Sequence, residues 1–108
     1  MKRLLVLTIA LLLPLALHAK GNAGNGKNKA AQVCAACHGP DGNKPSAPDQ
    51  PILAGQHYDY LVRSLTDYKI GRRNNPIMKG FAAQLSKQDI EDLSAWFASQ
   101  KSHLHDQR

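Results

Sequence analysis

The chain has 108 residues, of which 20% are charged and 43% hydrophobic, and its formal net charge is +6 at pH 7. This length allows one domain with a small core, and such domains often need a bound metal or cofactor for stability. The basic residues are scattered and form no basic block, which argues against nucleic-acid binding. A structural zinc site needs four ligands, usually from two Cys-x-x-Cys pairs, and this chain has only two cysteines.

Residues 1–19 have the pattern of a secretory signal peptide. Lys2 and Arg3 precede a mostly apolar run from Leu4 to Leu17, and Leu17-His18-Ala19 is a plausible cleavage site. The run is shorter than the roughly 18 apolar residues of a spanning helix, so an uncleaved membrane anchor is the less favoured alternative. We therefore expect export to the periplasm, a mature domain over residues 20–108 and no stable membrane insertion after cleavage.

The mature chain is predicted to be helical with long irregular loops. A short helix is expected from about Asn25 into the segment Cys34–His38. The segment Gly39–Pro51 is predicted to be a loop because it contains four prolines and two glycines. A second helix is expected from about Gln56 to Ile70, with Gly71 as its stop. One face of this helix collects large side chains at helical spacing: Tyr58, Leu61, Leu65 and Tyr68.

The C-terminal part is predicted to contain one more loop and one more helix. Pro76 and Gly80 favour an irregular loop over residues 72–85. The last helix has the clearest start, since Ser86 and Asp89 have the spacing of a capping box. Trp96 is expected to pack in the core and not to serve in an electron path. The tryptophan belongs to an apolar stripe along this helix: Ile90, Leu93, Trp96 and Phe97.

The five residues Cys34-Ala35-Ala36-Cys37-His38 are the most informative feature of the sequence. Cys-x-x-Cys-His is the attachment sequence of a c-type haem. The thiols of Cys34 and Cys37 are expected to form thioethers with the haem vinyl groups, and His38 to bind the iron as a neutral imidazole. A redox dithiol is the alternative, but it requires no histidine after the second cysteine and expects a βαβ pattern that the sequence lacks.

The second iron ligand is predicted by elimination. Met78 is the only methionine outside the signal peptide, and it lies in the predicted loop between the last two helices. A neutral thioether is a good ligand of reduced iron and raises the reduction potential relative to a second imidazole. The alternative is an ordinary packing methionine that fills a gap in the core.

The remaining histidines are not expected to bind metal. His57 is predicted to be a surface or loop residue at the start of the second helix. His103 and His105 are two residues apart, which does not place them on one face of a helix. These two histidines are expected to belong to a solvated C-terminal tail.

The residues that carry a family resemblance extend over the whole mature chain. Together they are similar to class I c-type cytochromes, and in particular to one haem domain of the bacterial cytochrome c-four type and its single-haem relatives. The dihaem members of that family have two such domains in tandem, and this sequence contains one. The matching segments are Val33–Gly39, Asp41–Asn43, Pro51–Gln56, Tyr60–Leu61, Lys69–Gly71 with Arg73, Met78, and Leu85–Ser99.

The resemblance implies a fold and particular residue roles. The fold is an all-α class I cytochrome c domain, with three to four helices wrapped around one covalent haem c and its iron. Cys34 and Cys37 match the thioether cysteines, His38 the proximal ligand and Met78 the distal ligand. Pro51 matches the proline whose carbonyl accepts the other N–H of the histidine. The first and last helices should cross near one haem edge, and the haem should be packed by Leu53, Leu61 and Leu65.

The resemblance also implies a function. The chain is expected to be a soluble periplasmic one-electron carrier between respiratory redox proteins, and not an enzyme, because both axial positions of the iron are filled. A haem c subunit of a periplasmic dehydrogenase or reductase is the alternative. A ligand-binding or peroxidatic haem protein would require Met78 to be absent from the iron. The protein is expected to be a monomer or a weak dimer.

Three basic residues flank the predicted ligand loop: Arg72, Arg73 and Lys79. If they face solvent, they form a basic rim near the exposed haem edge, and the redox partners should present an acidic docking patch. One or both arginines could instead pair with the haem propionates. The sequence leaves these two roles open.

Overall fold

The computed structural model describes residues 21–102, together with the single residues Leu5 and Ala10. Within these residues there are five helices and no strand, which confirms the prediction of an all-α domain. None of the described helices is both long and apolar enough to cross a membrane. Apart from Leu5 and Ala10, the predicted signal peptide lies outside the described residues, as do His103 and His105. The helices are α1 (Ala23–Val33), α2 (Ala35–His38), α3 (Tyr58–Ile70), α4 (Pro76–Ala83) and α5 (Lys87–Ala98).

The irregular loop predicted over residues 72–85 was wrong, because residues 76–83 form helix α4. The four-residue turn α2 brings the number of helices within residues 21–102 to five. Pro76 occupies the first turn of α4, where its missing N–H costs nothing and its fixed φ suits a helix. The Asn75 side chain caps α4 by accepting the backbone N–H groups of Ile77 and Met78 at 3.1 and 3.0 Å. Asn-Pro was therefore a helix start, and Gly80 is tolerated inside the helix.

The predicted capping box of α5 is present. The Ser86 hydroxyl accepts the Asp89 N–H at 2.9 Å, and the Asp89 carboxylate accepts the Ser86 N–H at 2.9 Å. This hydrogen bond from the Ser86 backbone lowers the pKa of Asp89 below its usual value, and the nearby charge of Lys29 acts in the same direction. Lys29 lies on α1, 3.6 Å from the Asp89 carboxylate, so the start of α5 also contacts the first helix.

Helices α1 and α5 cross at Gly26, as the resemblance implied. A Cβ atom at Gly26 would collide with the backbone carbonyl of Asp92, so only glycine permits this close approach. The buried Asp92 carboxylate accepts the Asn22 N–H at 2.7 Å and the Gln88 side-chain amide at 2.8 Å. These bonds join the start of α1 to the middle of α5.

A small core lies between the helices, and the long loop over residues 39–57 is tied to one end of it. The Gly55 N–H donates to the Phe97 carbonyl at 2.9 Å, and the Trp96 indole N–H donates to the Pro40 carbonyl at 3.1 Å. Trp96 is partly buried against the core, which confirms its expected packing role. The loop is thereby held over the C-terminal end of α5. The buried core consists of Ala30, Leu61, Ala82, Leu85, Ile90, Leu93 and Phe97.

Candidate functional site

A cavity of about 470 Å³ lies between the helices and the long loop. All four predicted site residues line it, namely Cys34, Cys37, His38 and Met78. Its size lies within the range of about 300–1,000 Å³ that is usual for small-molecule and cofactor sites. Much of its wall is apolar, and it includes all three residues predicted to pack against the haem: Leu53, Leu61 and Leu65.

The Cys-x-x-Cys-His segment forms a single helical turn at this cavity. The Cys34 carbonyl accepts the N–H groups of both Cys37 and His38, at 3.2 and 3.0 Å. Cys34 ends α1, and its backbone leads directly into the short helix α2. Two thiols and one imidazole therefore belong to one compact turn, as a planar macrocycle attached at two points and ligated at its centre would require.

The His38 ring is held by the predicted backbone partner. Its Nδ1 atom lies 2.9 Å from the Pro51 carbonyl oxygen, and the residue is 6% exposed. A carbonyl oxygen can only accept, so Nδ1 must carry the proton, and the neutral ring then has its lone pair on Nε2. That tautomer is the one that binds a metal, and the second hydrogen bond makes the imidazole a better donor.

The two cysteines do not have the properties of a redox dithiol. Burial, together with the nearby Cys37, raises the pKa of the Cys34 thiol to about 11. The attacking cysteine of a dithiol oxidoreductase instead has a lowered pKa, because the thiolate is the reactive form. Residues 21–102 also contain none of the strands of a βαβ unit.

Met78 lines the cavity from a helix rather than from a loop. It is the third residue of α4, its side chain is half-buried, and its N–H is part of the Asn75 cap. The cap and Pro76 fix where the helix begins, and so fix the orientation of Met78. His57, by contrast, is exposed and does not line the cavity, in agreement with its predicted surface position.

The residues present fit a covalently attached haem. The cavity offers two unpaired thiols, an imidazole with a free Nε2 and a thioether, within a largely apolar wall. One buried polar atom in this wall lacks a partner among the described residues, the Ser94 hydroxyl. An unsatisfied hydroxyl in a closed core is unusual, and it suggests that a bound group contributes to this part of the wall.

Sequence reasoning assigned no site role to the polar residues of α3 that line the cavity. Tyr60, Ser64 and Tyr68 all line the cavity from α3. Their spacing of four residues places them on one helix face, and this spacing was the available signal. Arg73 lines the same cavity, whereas Arg72 pairs with Asp67 outside it at 3.5 Å.

Comparisons with known proteins identify the family of the chain. Residues 23–101 match the family model "Cytochrome c". The chain is 50% identical over 99 residues to cytochrome c4 of Pseudomonas aeruginosa, covering 88% of this chain and 48% of that protein. It is also 41% identical over 70 residues to a thiosulfate dehydrogenase electron acceptor of Stutzerimonas stutzeri, covering 65% of this chain and 32% of that protein.

A solved structure gives the same result for the fold. The chain superimposes on reduced recombinant cytochrome c4 from Pseudomonas stutzeri with a TM-score of 0.69 and 46% sequence identity. The match covers 75% of this chain and 46% of that chain. The chain thus spans about half the length of the cytochromes c4 that it matches.

Proposed function

Because the chain belongs to the cytochrome c family, we propose that it is a soluble periplasmic one-electron carrier with His38 and Met78 as iron ligands. Members of this family carry covalently bound haem c, and the cytochrome c4 relatives support an electron-carrier role. One observation carries the proposal: the two thiols, the oriented imidazole and the only methionine of residues 20–108 line one cavity. We further propose that Cys34 and Cys37 hold one haem per chain.

Each proposed site residue has a separate task. When bound, the haem supplies a reversible one-electron couple at its iron. His38 is kept in one tautomer by Pro51, and the Met78 thioether raises the potential above that of a bis-imidazole site. Leu53, Leu61 and Leu65 line the cavity and exclude water from it. If His38 and Met78 both bind the iron, no coordination site would remain for a substrate, so the proposed protein is a carrier and not an enzyme.

A second candidate function is that of a haem subunit bound to a dehydrogenase or reductase. Its support is the similarity to a thiosulfate dehydrogenase electron acceptor. Purification of the native protein under mild conditions separates the two functions: a carrier elutes alone, and a subunit elutes with its enzyme in a fixed ratio.

Substitution of Met78 tests the proposed ligation. Met78→Ala should open the sixth position to water or an added ligand, change the optical spectrum and lower the reduction potential. Met78→Leu keeps nearly the same volume but removes the sulfur, so it should behave in the same way. Spectra and potentiometry of both variants are the measurements, with Lys79→Ala on the same helix as the control. If Met78→Leu kept the wild-type spectrum and potential, Met78 would be a packing residue and another group would bind the iron.

A further inference from the structure

The ligand segment, residues 70–84, contains α4 and Met78 and is joined to the domain mainly through α3. Among the described helices, α4 packs chiefly against α3, and it forms no comparable contact with α1 or α5. Ala82 is the buried residue of α4, Met78 is half-buried, and the other α4 residues are exposed. A segment with so few buried side chains opens locally at low cost unless other contacts hold it.

A lysine of α3 reaches the far end of the ligand segment. Lys69 lies in the last turn of α3, and its ammonium donates a hydrogen bond to the Leu85 carbonyl. Leu85 follows the segment directly and is buried in the core. Among residues 21–102, no other hydrogen bond to this carbonyl is found. The ammonium therefore satisfies a carbonyl that the link between α4 and α5 leaves unpaired.

This hydrogen bond closes the base of the ligand segment. The chain leaves α3 at Gly71, whose φ is +80°, forms α4 and returns to the core at Leu85. Lys69 and Leu85 lie on either side of the segment, so one bond joins its two ends. Ser86, the next residue, is fixed by the capping box of α5. A contact between the ends of a loop restricts the whole loop, because free ends gain entropy by separating.

The bond to Leu85 is charge-assisted and partly buried, and such bonds are stronger than those between neutral groups. We propose that Lys69 is a positioning residue for the Met78 ligand, because its bond to Leu85 keeps the ligand segment closed and the thioether in the cavity wall. Lys69 does not line the cavity, so it acts on the site only through α4. This inference rests on the proposed function, since it requires Met78 to bind the iron.

Loss of the bond would raise the population of molecules in which Met78 has left the iron. An added ligand binds the iron only in that population, so its apparent affinity reports the fraction of open molecules. Imidazole is a suitable ligand for this purpose. It binds as a neutral ring, and removal of a lysine charge therefore has little direct effect on its affinity.

Imidazole titration of the oxidised, haem-loaded protein, followed by optical absorption, tests the inference. Lys69→Leu should bind imidazole at least about threefold more tightly than the wild type, since it removes a charge-assisted hydrogen bond. Lys69→Arg keeps a charged donor and should stay closer to the wild type. Lys87→Leu is the matched control. It removes the same charge two residues after Leu85, from an exposed side chain outside the ion pairs of residues 21–102, and should bind imidazole as the wild type does.

Gly26→Ala separates the positioning role from a general loss of stability. Its methyl group would meet the backbone of Asp92 and push α1 away from α5, at a distance from the ligand segment along the chain. This variant should therefore lower the stability of the protein and leave the imidazole affinity at the wild-type value. A gain in imidazole affinity equal to that of Lys69→Leu would mean that any destabilisation releases Met78, and it would overturn the inference.

Two further results would overturn the inference: a wild-type imidazole affinity in Lys69→Leu, or equal gains in Lys69→Leu and Lys87→Leu. If Lys69→Leu takes up no haem, a crystal structure of the haem-loaded wild type decides. A Lys69 ammonium bonded to the Leu85 carbonyl supports the inference, and an ammonium surrounded by solvent contradicts it. A wild type that binds imidazole as tightly as Met78→Leu would contradict methionine ligation and with it the proposed function. A wild type that binds imidazole more weakly than Met78→Leu but equally to Lys69→Leu would contradict the role of Lys69 alone.

Discussion

His38 is oriented by the protein itself. Its ring is 6% exposed, and the Pro51 carbonyl lies 2.9 Å from Nδ1. Rotation of the ring would break this partly buried hydrogen bond, which costs about 0.5–1.5 kcal/mol. The long loop over residues 39–57 therefore orients the His38 ring through one backbone oxygen. With Nδ1 used in this bond, Nε2 is the ring nitrogen that remains for a metal.

Covalent attachment is the prediction that belongs to the residue scale. The exported protein should have the mass of residues 20–108 plus one haem, because Cys34 and Cys37 are the only thiols in the chain. Acid–organic extraction should leave the haem on the wild-type chain and remove it from a Cys34→Ser, Cys37→Ser double variant. Intact mass before and after extraction is the measurement. Haem found in the solvent from the wild type would rule out thioether attachment.

Some site residues could be predicted from the sequence and others could not. Cys34, Cys37 and His38 form a local motif whose chemistry depends on spacing alone, and Met78 was the only methionine that remained. Arg73 could not be distinguished from Arg72 in the same way, since both are arginines after one helix. Their difference arises from the turn at Gly71 and from contacts with α3, and these are tertiary features.

At the scale of elements, the crossing of α1 and α5 determines the shape of the domain. The two helices approach until a Cβ at Gly26 would meet the backbone of Asp92. The capping box and the apolar stripe made α5 predictable, because both depend on local sequence. Helix α4 was missed because Pro76 and Gly80 were treated as helix breakers, although a proline in the first turn favours a helix.

Gly26→Ala should destabilise the protein by about 1–3 kcal/mol, because the new methyl group forces α1 away from α5. Gly80→Ala is the matched control in α4, since its Cβ would meet no atom within 4 Å. The control should be neutral or stabilising by up to about 1 kcal/mol, because alanine favours a helix over glycine. Chemical denaturation of the haem-loaded variants gives both values. Equal stability of Gly26→Ala and wild type would mean that the helices do not cross this closely.

At the scale of the whole molecule, charge and exposed apolar surface lie together near α4. Lys79 is exposed on this helix, and the α4 sequence contains no acidic residue. Ile77 and Phe81 on the same helix line the cavity and are also partly exposed. Arg72 is largely exposed, as the predicted basic rim requires, but its ion pair with Asp67 reduces the net positive charge at this position. A redox partner with acidic groups around an apolar centre would complement this surface.

Electron transfer to such a partner should slow as the salt concentration rises. Attraction between exposed charges is screened over about 8–10 Å at physiological ionic strength, and complementary charge acts mainly on the association rate. Lys79→Glu should lower the second-order rate at low salt and flatten its salt dependence. Lys101→Glu, at a residue that follows α5 and contacts Asn43, should have less effect. Stopped-flow rates over an ionic-strength series provide the test. A wild-type rate that does not change with salt would indicate docking by apolar contact alone.

The central claim is that Met78 binds the iron of a haem held in this cavity. Its most direct test is the NMR spectrum of the reduced, haem-loaded protein with carbon-13 in the methionine methyl groups. A methyl group held over the haem by a sulfur–iron bond lies in the ring current of the porphyrin. The account predicts one methyl signal shifted strongly upfield, which is absent in Met78→Leu. A Met78 methyl signal at the position of an ordinary side chain would contradict it.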